Sequence, residues 1–400
     1  MTETTTSTLR DVYIVDGTRT PFLKAKGKPG PFSASDLAVR AGRELLQRQS
    51  FAPTDLDEVI VGCVMPSEKE ANIARIVALR LGCGKSVTAW TVQRNCASGM
   101  QALDSAAKDI ASGRCDLVLA GGTEAMSHAP LLFNKDMTNW MAGIMGARSW
   151  KTKLAEYVQF RPSYLKPVIA LLSGLRDPVV NLSMGQTAEN VAFRFNITRE
   201  QMDEFALTSH QRVMAAQEDK HLSEVETVYA NNGEFFPLDD GVRADSSMER
   251  LAKLKPFFDK PFGSVTPGNS SQVTDGAAML LLASKDAVQK YRLPVLAKIV
   301  DTEWAGVDPT EMGLGPVYAT QQLLKRQQRN LDNIDYWEIN EAFAGQVLGC
   351  LRAWESEEYC REYLGMDHAM GSIDPERLNV DGGAIALGHP IGASGARIVL

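Results

Sequence analysis

The sequence has no CxxC pair among its six cysteines and no His/Cys cluster at metal-ligand spacing, with only five histidines in 400 residues. A zinc ribbon or finger is thereby excluded, and no disulfide framework can be read. The thiols are expected to be free, in a reducing compartment taken here as the cytoplasm. The N-terminal stretch MTETTTSTLRDVYIV has Glu3 ahead of its first arginine and no basic segment leading into an apolar one. Neither a secretory signal nor a transit peptide is expected. No run of about 18 apolar residues occurs that would make a transmembrane helix. Positive charge is not in surplus: 42 Lys and Arg stand against 49 Asp and Glu, a formal net charge of −7. That balance is opposite to a nucleic-acid binder's. No Rossmann or P-loop fingerprint falls at a strand–helix turn, so no nicotinamide, flavin or metal is expected.

What is present is ordinary globular material, 44% hydrophobic and 23% charged. It is long enough for two or three domains. The first 125 residues alternate β-rich runs (DVYIVDG, DEVIVGCV, SVTAWTVQRNC, CDLVLAGG) with amphipathic helical patterns such as SASDLAVRAGRELLQRQ. That alternation predicts an α/β fold with helices on a mixed sheet. Residues 128–257 break the rhythm and read as an inserted loop domain, after which GSVTPGNSSQVTDGAAMLLLAS returns to a buried strand. The last third repeats the first: TDLDEVIVGCV (54–64) parallels RNLDNIDYWEINEAF (329–343), and CASGMQAL (96–103) parallels GASGARIV (392–399). The expected organisation is a first half of residues 1–127 with 258–284, the insertion at 128–257, and a second half of 285–400 lacking its last strands. Both halves are α/β units, a duplication.

Three stretches carry chemistry. In TVQRNCASGMQA a thiol, Cys96, falls where a strand gives way to a helix. Helix N-terminal N–H groups there favour a thiolate and can receive an oxyanion. A buried, inert cysteine is the competing interpretation. NVDGGAIALGHPIGASGARIVL sets His389 in a loop with glycines at 382, 383, 388, 392 and 395. Such a loop lets a ligand approach and holds an imidazole at a defined point. A Cys/His pair on matching turns of two repeats would meet at their interface, where His389 can take the proton of Cys96. In WEINEAFAGQ, Asn340 follows a strand and could orient a water or carbonyl, with Glu341 buttressing nearby backbone. Equally, Asn340 could be a helix N-cap.

Together NCASG, NEAFAG, GGAIALGHPIGASG, AGGTEAMS, MGQTAENVA and GNSSQVTDGAA resemble the thiolase family, from about residue 11 to the end. The resemblance implies CoA-dependent cleavage of a carbon–carbon bond or its Claisen reversal, two α/β halves with a loop domain in the first, and a dimeric core. The segment after NEAFA and the stretch SSMERLAKLKPFFDK are more similar to β-subunits of fatty-acid-oxidation (trifunctional) complexes than to short acetoacetyl-CoA thiolases. The expected reaction is thiolysis of 3-ketoacyl-CoA in β-oxidation, with CoA as co-substrate. By resemblance, Cys96 is the nucleophile that holds the acyl group, His389 its base, and Asn340 the holder of an oxyanion-site water. The Cys96 N–H serves a second oxyanion site. Ser271 and Leu254 match positions on the pantetheine and adenine portions of CoA, and Met184 and Gly185 lie beside the acyl pocket.

The family's second cysteine, in a C-x-G-G-type motif, has no match through Leu400. Cys350 and Cys360 precede His389 and do not fit it. The natural chain is expected to continue to that motif. The alternatives are a biosynthetic acetoacetyl-CoA thiolase and a non-catalytic scaffold that binds CoA esters. A ketoacyl-ACP synthase would want a second histidine in place of NEAF. The stretch 140–180 carries Arg148, Lys151, Lys153, Arg161, Lys166 and Arg176 between apolar residues. It is either a helix packed on its own domain, a docking face for a hydratase/dehydrogenase α-subunit, or a peripheral membrane contact. His128, His210, His221 and His368 are taken as structural or surface residues.

Overall fold

The computed structural model describes residues 9–400. A seven-stranded mixed sheet is built from β1 (Val12–Arg19), β2 (Leu23–Lys24), β3 (Glu58–Gly62), β4 (Thr88–Val92), β5 (Leu117–Ala125), β6 (Thr274–Ser284) and β7 (Ala297–Ile299). The order is β7-β1-β6-β5-β3-β4, with β2 also pairing β6. Strands β3, β4 and β5 run parallel. Their crossovers are the helices α2 (Ile73–Arg80) and α3 (Ser98–Ala111), while α1 (Ala34–Gln47) precedes β3. The long β6 runs antiparallel to both β5 and β1 and closes the centre.

The central strands are buried on both faces, and their side chains alternate between two cores as the pleat requires. Val59, Val61, Leu119, Met279 and Leu281 face Leu37, Ala38, Leu45 and Val77 of α1 and α2. Ile60, Val118, Ala120, Leu280 and Leu282 face Ala102, Leu103, Ala106 and Ile110 of α3. Helix α1 begins where Ser33 and Asp36 form a reciprocal capping box, satisfying two otherwise orphaned N–H groups.

Between β5 and β6 the chain makes its long excursion. Helices α4 (Lys135–Gly146) and α5 (Trp150–Val158) bury no residue. They hold each other through Trp140, whose indole donates to the Glu156 carbonyl at 2.8 Å and packs among Tyr157, Phe160 and Tyr164. The basic stretch 140–180 thus holds these exposed helices, a 3₁₀ turn at Pro162–Leu165 and a further short helix at Ala170–Gly174. Helices α6 (Met184–Arg194) and α7 (Arg199–Glu218) behave oppositely: Ala188, Ala192, Met202 and Ala206 pack against Phe343, Ala344 and Ile385. The returning strap is pinned by Arg19, buried at the end of β1, which donates to both oxygens of Asp239 at 2.7 and 3.0 Å and to Glu224 at 2.9 Å. A planar fork on a carboxylate is the geometry that can offset burying such a charge.

The C-terminal half is mainly helical: α8 (Gly315–Arg326), α9 (Ala344–Glu355) and α10 (Glu357–Leu364) gather around Trp354, Val347 and Leu324, while α11 (Ile391–Arg397) packs on α3, with Ala396 in the α3 core. Its β7 joins the edge of the same sheet beside β1. Trp337 and Leu378 meet in one isolated parallel bridge, with Trp337 N–H donating to the Arg377 carbonyl and Asn379 N–H to the Trp337 carbonyl, both at 2.8 Å. Two such segments are too few for an independent sheet, so among the described residues this half carries a bridge where a second ladder was expected.

Candidate active site

Cys96 follows β4 by a tight elbow. Asn95 takes a left-handed φ of 46°, a conformation asparagine tolerates better than most residues. The Ser98 hydroxyl donates to the Asn95 carbonyl at 2.7 Å and accepts from Arg94 N–H at 2.8 Å. Helix α3 then starts from Ala97 without a side-chain cap, while the Ala97 and Ser98 N–H groups donate to the Arg94 and Asn95 carbonyls, each at 3.0 Å.

His389 stands before the matching helix, α11. The two helices press together through glycines: a Cβ on Gly99 would lie 2.8 Å from Ala396 N, and one on Gly395 would lie 2.6 Å from Met100 N. The Ser-Gly pairs of the two repeats, 98–99 and 394–395, therefore meet, and the elbow of Cys96 and the loop of His389 converge at the same crossing. Gly388, at φ 101°, turns the loop and sits against Thr274 of β6.

The His389 tautomer follows from its partners. Ser394 Oγ lies 2.6 Å from His389 Nδ1 and donates to the Pro390 carbonyl at 3.1 Å. A hydroxyl has one proton to give, so Nδ1 carries the hydrogen it donates to Ser394. Nε2 is left with its lone pair and, though buried, has no partner. Burial, with a smaller push from Arg397, lowers the imidazole to about 4. The ring is neutral at physiological pH and presents a free base.

Cys96 is open to solvent along one side, yet the sulfur sits in a crowded recess. Desolvation raises the thiol to about 11, its own N–H opposes this, and Glu124 adds to it. At neutral pH the thiol and the imidazole are both uncharged.

Asn340 is not a helix cap. Helix α9 begins three residues later, from Phe343, because Ala342 and Ala344 are drawn into backbone bonds with Ser271 N–H and the Asn269 carbonyl, each 3.0 Å. Asn340 Oδ1 is buried without a partner. Its neighbour Glu341 accepts from Ser209 Oγ at 2.6 Å, Asn379 Nδ2 at 2.9 Å and Ile385 N–H at 3.2 Å, fixing this segment against the glycine loop. Burial raises Glu341, opposed by these donors.

A cavity of about 1220 Å³ opens on Cys96. Val64, Met65, Leu171, Leu175, Met184, Val307, Met312 and Ile391 line it. Met184 is therefore on the wall. Gly185 is one step behind it, buried against the Phe258 ring, and not part of the lining. A second cavity, about 190 Å³, is lined by Leu254, Gln272, His210, Arg243 and Arg250. Ser271 lies next to Gln272 but does not line it. Sequence reasoning missed the three basic residues. The available signal was Arg243 shortly before the SSMER stretch and Arg250 at its end, in an acidic chain, and burial, with a push from Arg243, lowers His210 to about 4. His128 holds the Gly30 carbonyl at 2.9 Å, a structural contact. Cys350 and Cys360 are buried against the carbonyls of Gly313 and Ala353, away from either cavity.

Known proteins are similar to this chain in sequence and fold. The model of the thiolase N-terminal domain matches residues 12–286 and that of the thiolase C-terminal domain residues 293–400. The mouse mitochondrial trifunctional enzyme subunit beta is 35% identical over 393 residues, covering 98% of this chain and 82% of that protein. The mouse mitochondrial 3-ketoacyl-CoA thiolase is 38% identical over 395 residues, covering 98% and 90%. The crystal structure of human mitochondrial 3-ketoacyl-CoA thiolase in complex with CoA superposes with a TM-score of 0.81 at 35% identity, covering 98% of this chain and 90% of that one. Similarity of this depth across both halves goes beyond a shared fold, and the chain belongs to the thiolase family.

Proposed function

We propose that the protein is an acetyl-CoA C-acyltransferase that cleaves a 3-ketoacyl-CoA with CoA, giving acetyl-CoA and an acyl-CoA two carbons shorter, in fatty-acid β-oxidation. The observation that carries this is the unpartnered Nε2 of His389, held as a base where the two repeat helices cross beside the Cys96 elbow. Cys96 attacks the keto carbon as Nε2 takes its proton. The alkoxide is received by the backbone N–H of Cys96, on the elbow ahead of α3. Collapse breaks the Cα–Cβ bond, leaves the acyl group on sulfur and forms the enolate of acetyl-CoA, whose α-carbon takes up the proton that left Cys96, freeing Nε2 to accept the CoA thiol proton in the second half. Asn340, its Oδ1 free, holds a water that donates to the thioester oxygen with His389. CoA then takes the acyl group from sulfur. The apolar cavity receives the acyl tail, and its volume supports thiolysis of longer chains over the alternative of acetoacetyl-CoA synthesis.

The phosphates of CoA are assigned to the basic cavity, with Leu254 beneath the adenine and Ser271 and Gln272 toward the pantetheine. Arg243→Ala with Arg250→Ala is expected to raise KM for CoA about tenfold, equivalent to about 1.4 kcal/mol, with kcat within about twofold. Steady-state kinetics at varied CoA checks this, and an unchanged KM removes the assignment.

Two surfaces support partners. Among the described residues, strand β4 ends the sheet with no strand on its outer side, and Trp90 on it is exposed. Edge strands invite pairing, and a second copy of this chain is its assigned partner. The α4–α5 face exposes Met145, Trp150, Leu154 and Val158 among Arg148, Lys151 and Lys153. It is assigned to a hydratase/dehydrogenase α-subunit or an anionic membrane surface. No described helix is long and apolar enough to cross a membrane. Sedimentation is expected to give a dimer, and pelleting with anionic liposomes lost on Lys151→Glu with Lys153→Glu selects the membrane. No pelleting leaves the subunit. The free cysteines support a cytoplasmic setting, and the division into two halves with an insertion at 128–257 is retained on the same footing.

A further inference from the structure

Glu124, near the end of β5, is fully buried. An uncompensated carboxylate there would cost several kcal/mol, so its partners matter. Oε2 accepts from Val64 N–H at 2.9 Å and from Gly392 N–H at 3.1 Å. Oε1 accepts from Met65 N–H at 3.0 Å, with the Cys63 thiol at 3.6 Å. Burial raises the carboxylate, and the backbone donors oppose it.

The partners come from both repeats. Val64 and Met65 form the cavity wall that Cys96 also lines. Gly392 opens the first turn of α11, three residues after His389. A single oxygen, Oε2, thus joins the nucleophile's wall to the loop that carries the base. Gly392 has no room for a side chain, since a Cβ there would lie 2.8 Å from Oε2 and 3.1 Å from Cys63 Cα. The close approach and the shared acceptor together set the spacing of the two halves. Glu124 itself does not line the cavity, so it does not touch substrate.

We propose that Glu124 is a positioning residue for the acyl-transfer reaction, clamping the His389 loop to the Val64–Met65 wall so that Nε2 stays in register with the Cys96 sulfur. An amide at this place cannot serve all four donors, because its NH₂ group has no lone pair to offer. CoA binding depends on the separate basic cavity, so ground-state affinity is spared.

The experiment compares Glu124→Gln with the parent as purified full-length protein, normalised to folded material by circular dichroism and gel filtration. Expected is a fall in kcat of about 10- to 100-fold, the effect of misplacing a general base, with KM for CoA within about twofold. If the glutamine variant is not recovered folded, Glu124→Asp, which keeps the charge and shortens its reach by one methylene, is measured the same way. A kcat within twofold of the parent overturns the proposal. So does a proportional change in kcat and KM, the mark of general loosening. The inference rests on the function proposed above. A parent that neither acylates Cys96 nor turns over defeats that function, whereas an active parent matched by its Glu124 variant defeats this inference alone.

Discussion

Cys96→Ala is expected to abolish thiolysis, with a loss on the order of 10⁴-fold or more. Removing a nucleophile that forms a covalent intermediate leaves no second route through the same site. The direct readout is covalent: radiolabelled 3-ketoacyl-CoA should leave its shortened acyl group on the parent protein and none on the variant. The alanine should fold, because Cys96 is solvent-accessible on one side and its elbow is held by Ser98 and Asn95 rather than by the sulfur. A scaffold that merely binds CoA esters would label in neither protein, so the experiment separates catalysis from binding. Labelling that persists in Cys96→Ala would move the nucleophile elsewhere. The other five cysteines offer no ready substitute: Cys63, Cys83, Cys350 and Cys360 are buried and Cys115 partly so, and burial raises the thiols of all five.

Much of this site was legible because short-range rules govern it. The strands around Val59–Val61 and Leu117–Ala120 are apolar runs bounded by turns. The matching Ser-Gly pairs at 98–99 and 394–395 announced a repeat, and in the structure each glycine makes room for the other's helix. Glycine spacing around His389 pointed to a loop built for close approach. What stayed hidden depends on partners distant in sequence. Asn340 read equally well as a helix cap, since only the pairing of Ala342 and Ala344 with Ser271 and Asn269 delays α9. Arg243, Arg250 and His210 form one cavity because α7 and the strap that follows it fold onto the same body. No local pattern shows this. The stretch 140–180 has helical spacing throughout, yet Gly146 and Ala147 end one helix before Ser149 caps the next. Glu124 lay within AGGTEAMS, but a charge in a strand looks exposed until its three backbone donors are seen.

His389→Ala separates general-base catalysis from simple proximity. In the parent, burial holds the imidazole near 4 and the thiol near 11. Between those limits the ring stays neutral and the sulfur stays protonated. The reactive arrangement is one protonation state across the whole window, and the proton passes internally during attack. The rate of Cys96 acylation should therefore be nearly flat from about pH 6 to pH 9. Below that range the ring protonates and the rate falls. Without the imidazole, only thiolate formed in advance can attack. A thiol near 11 is ionised to about one part in 10⁴ at pH 7, so acylation should drop about 10³-fold or more at neutral pH. It should then climb roughly tenfold per pH unit toward the thiol's own ionisation. The change of slope, more than the loss of rate, identifies the base, because a distorted site would be slow at every pH. A variant that was slow but still flat would place the proton acceptor on another group, and the free Nε2 would then owe its isolation to packing alone.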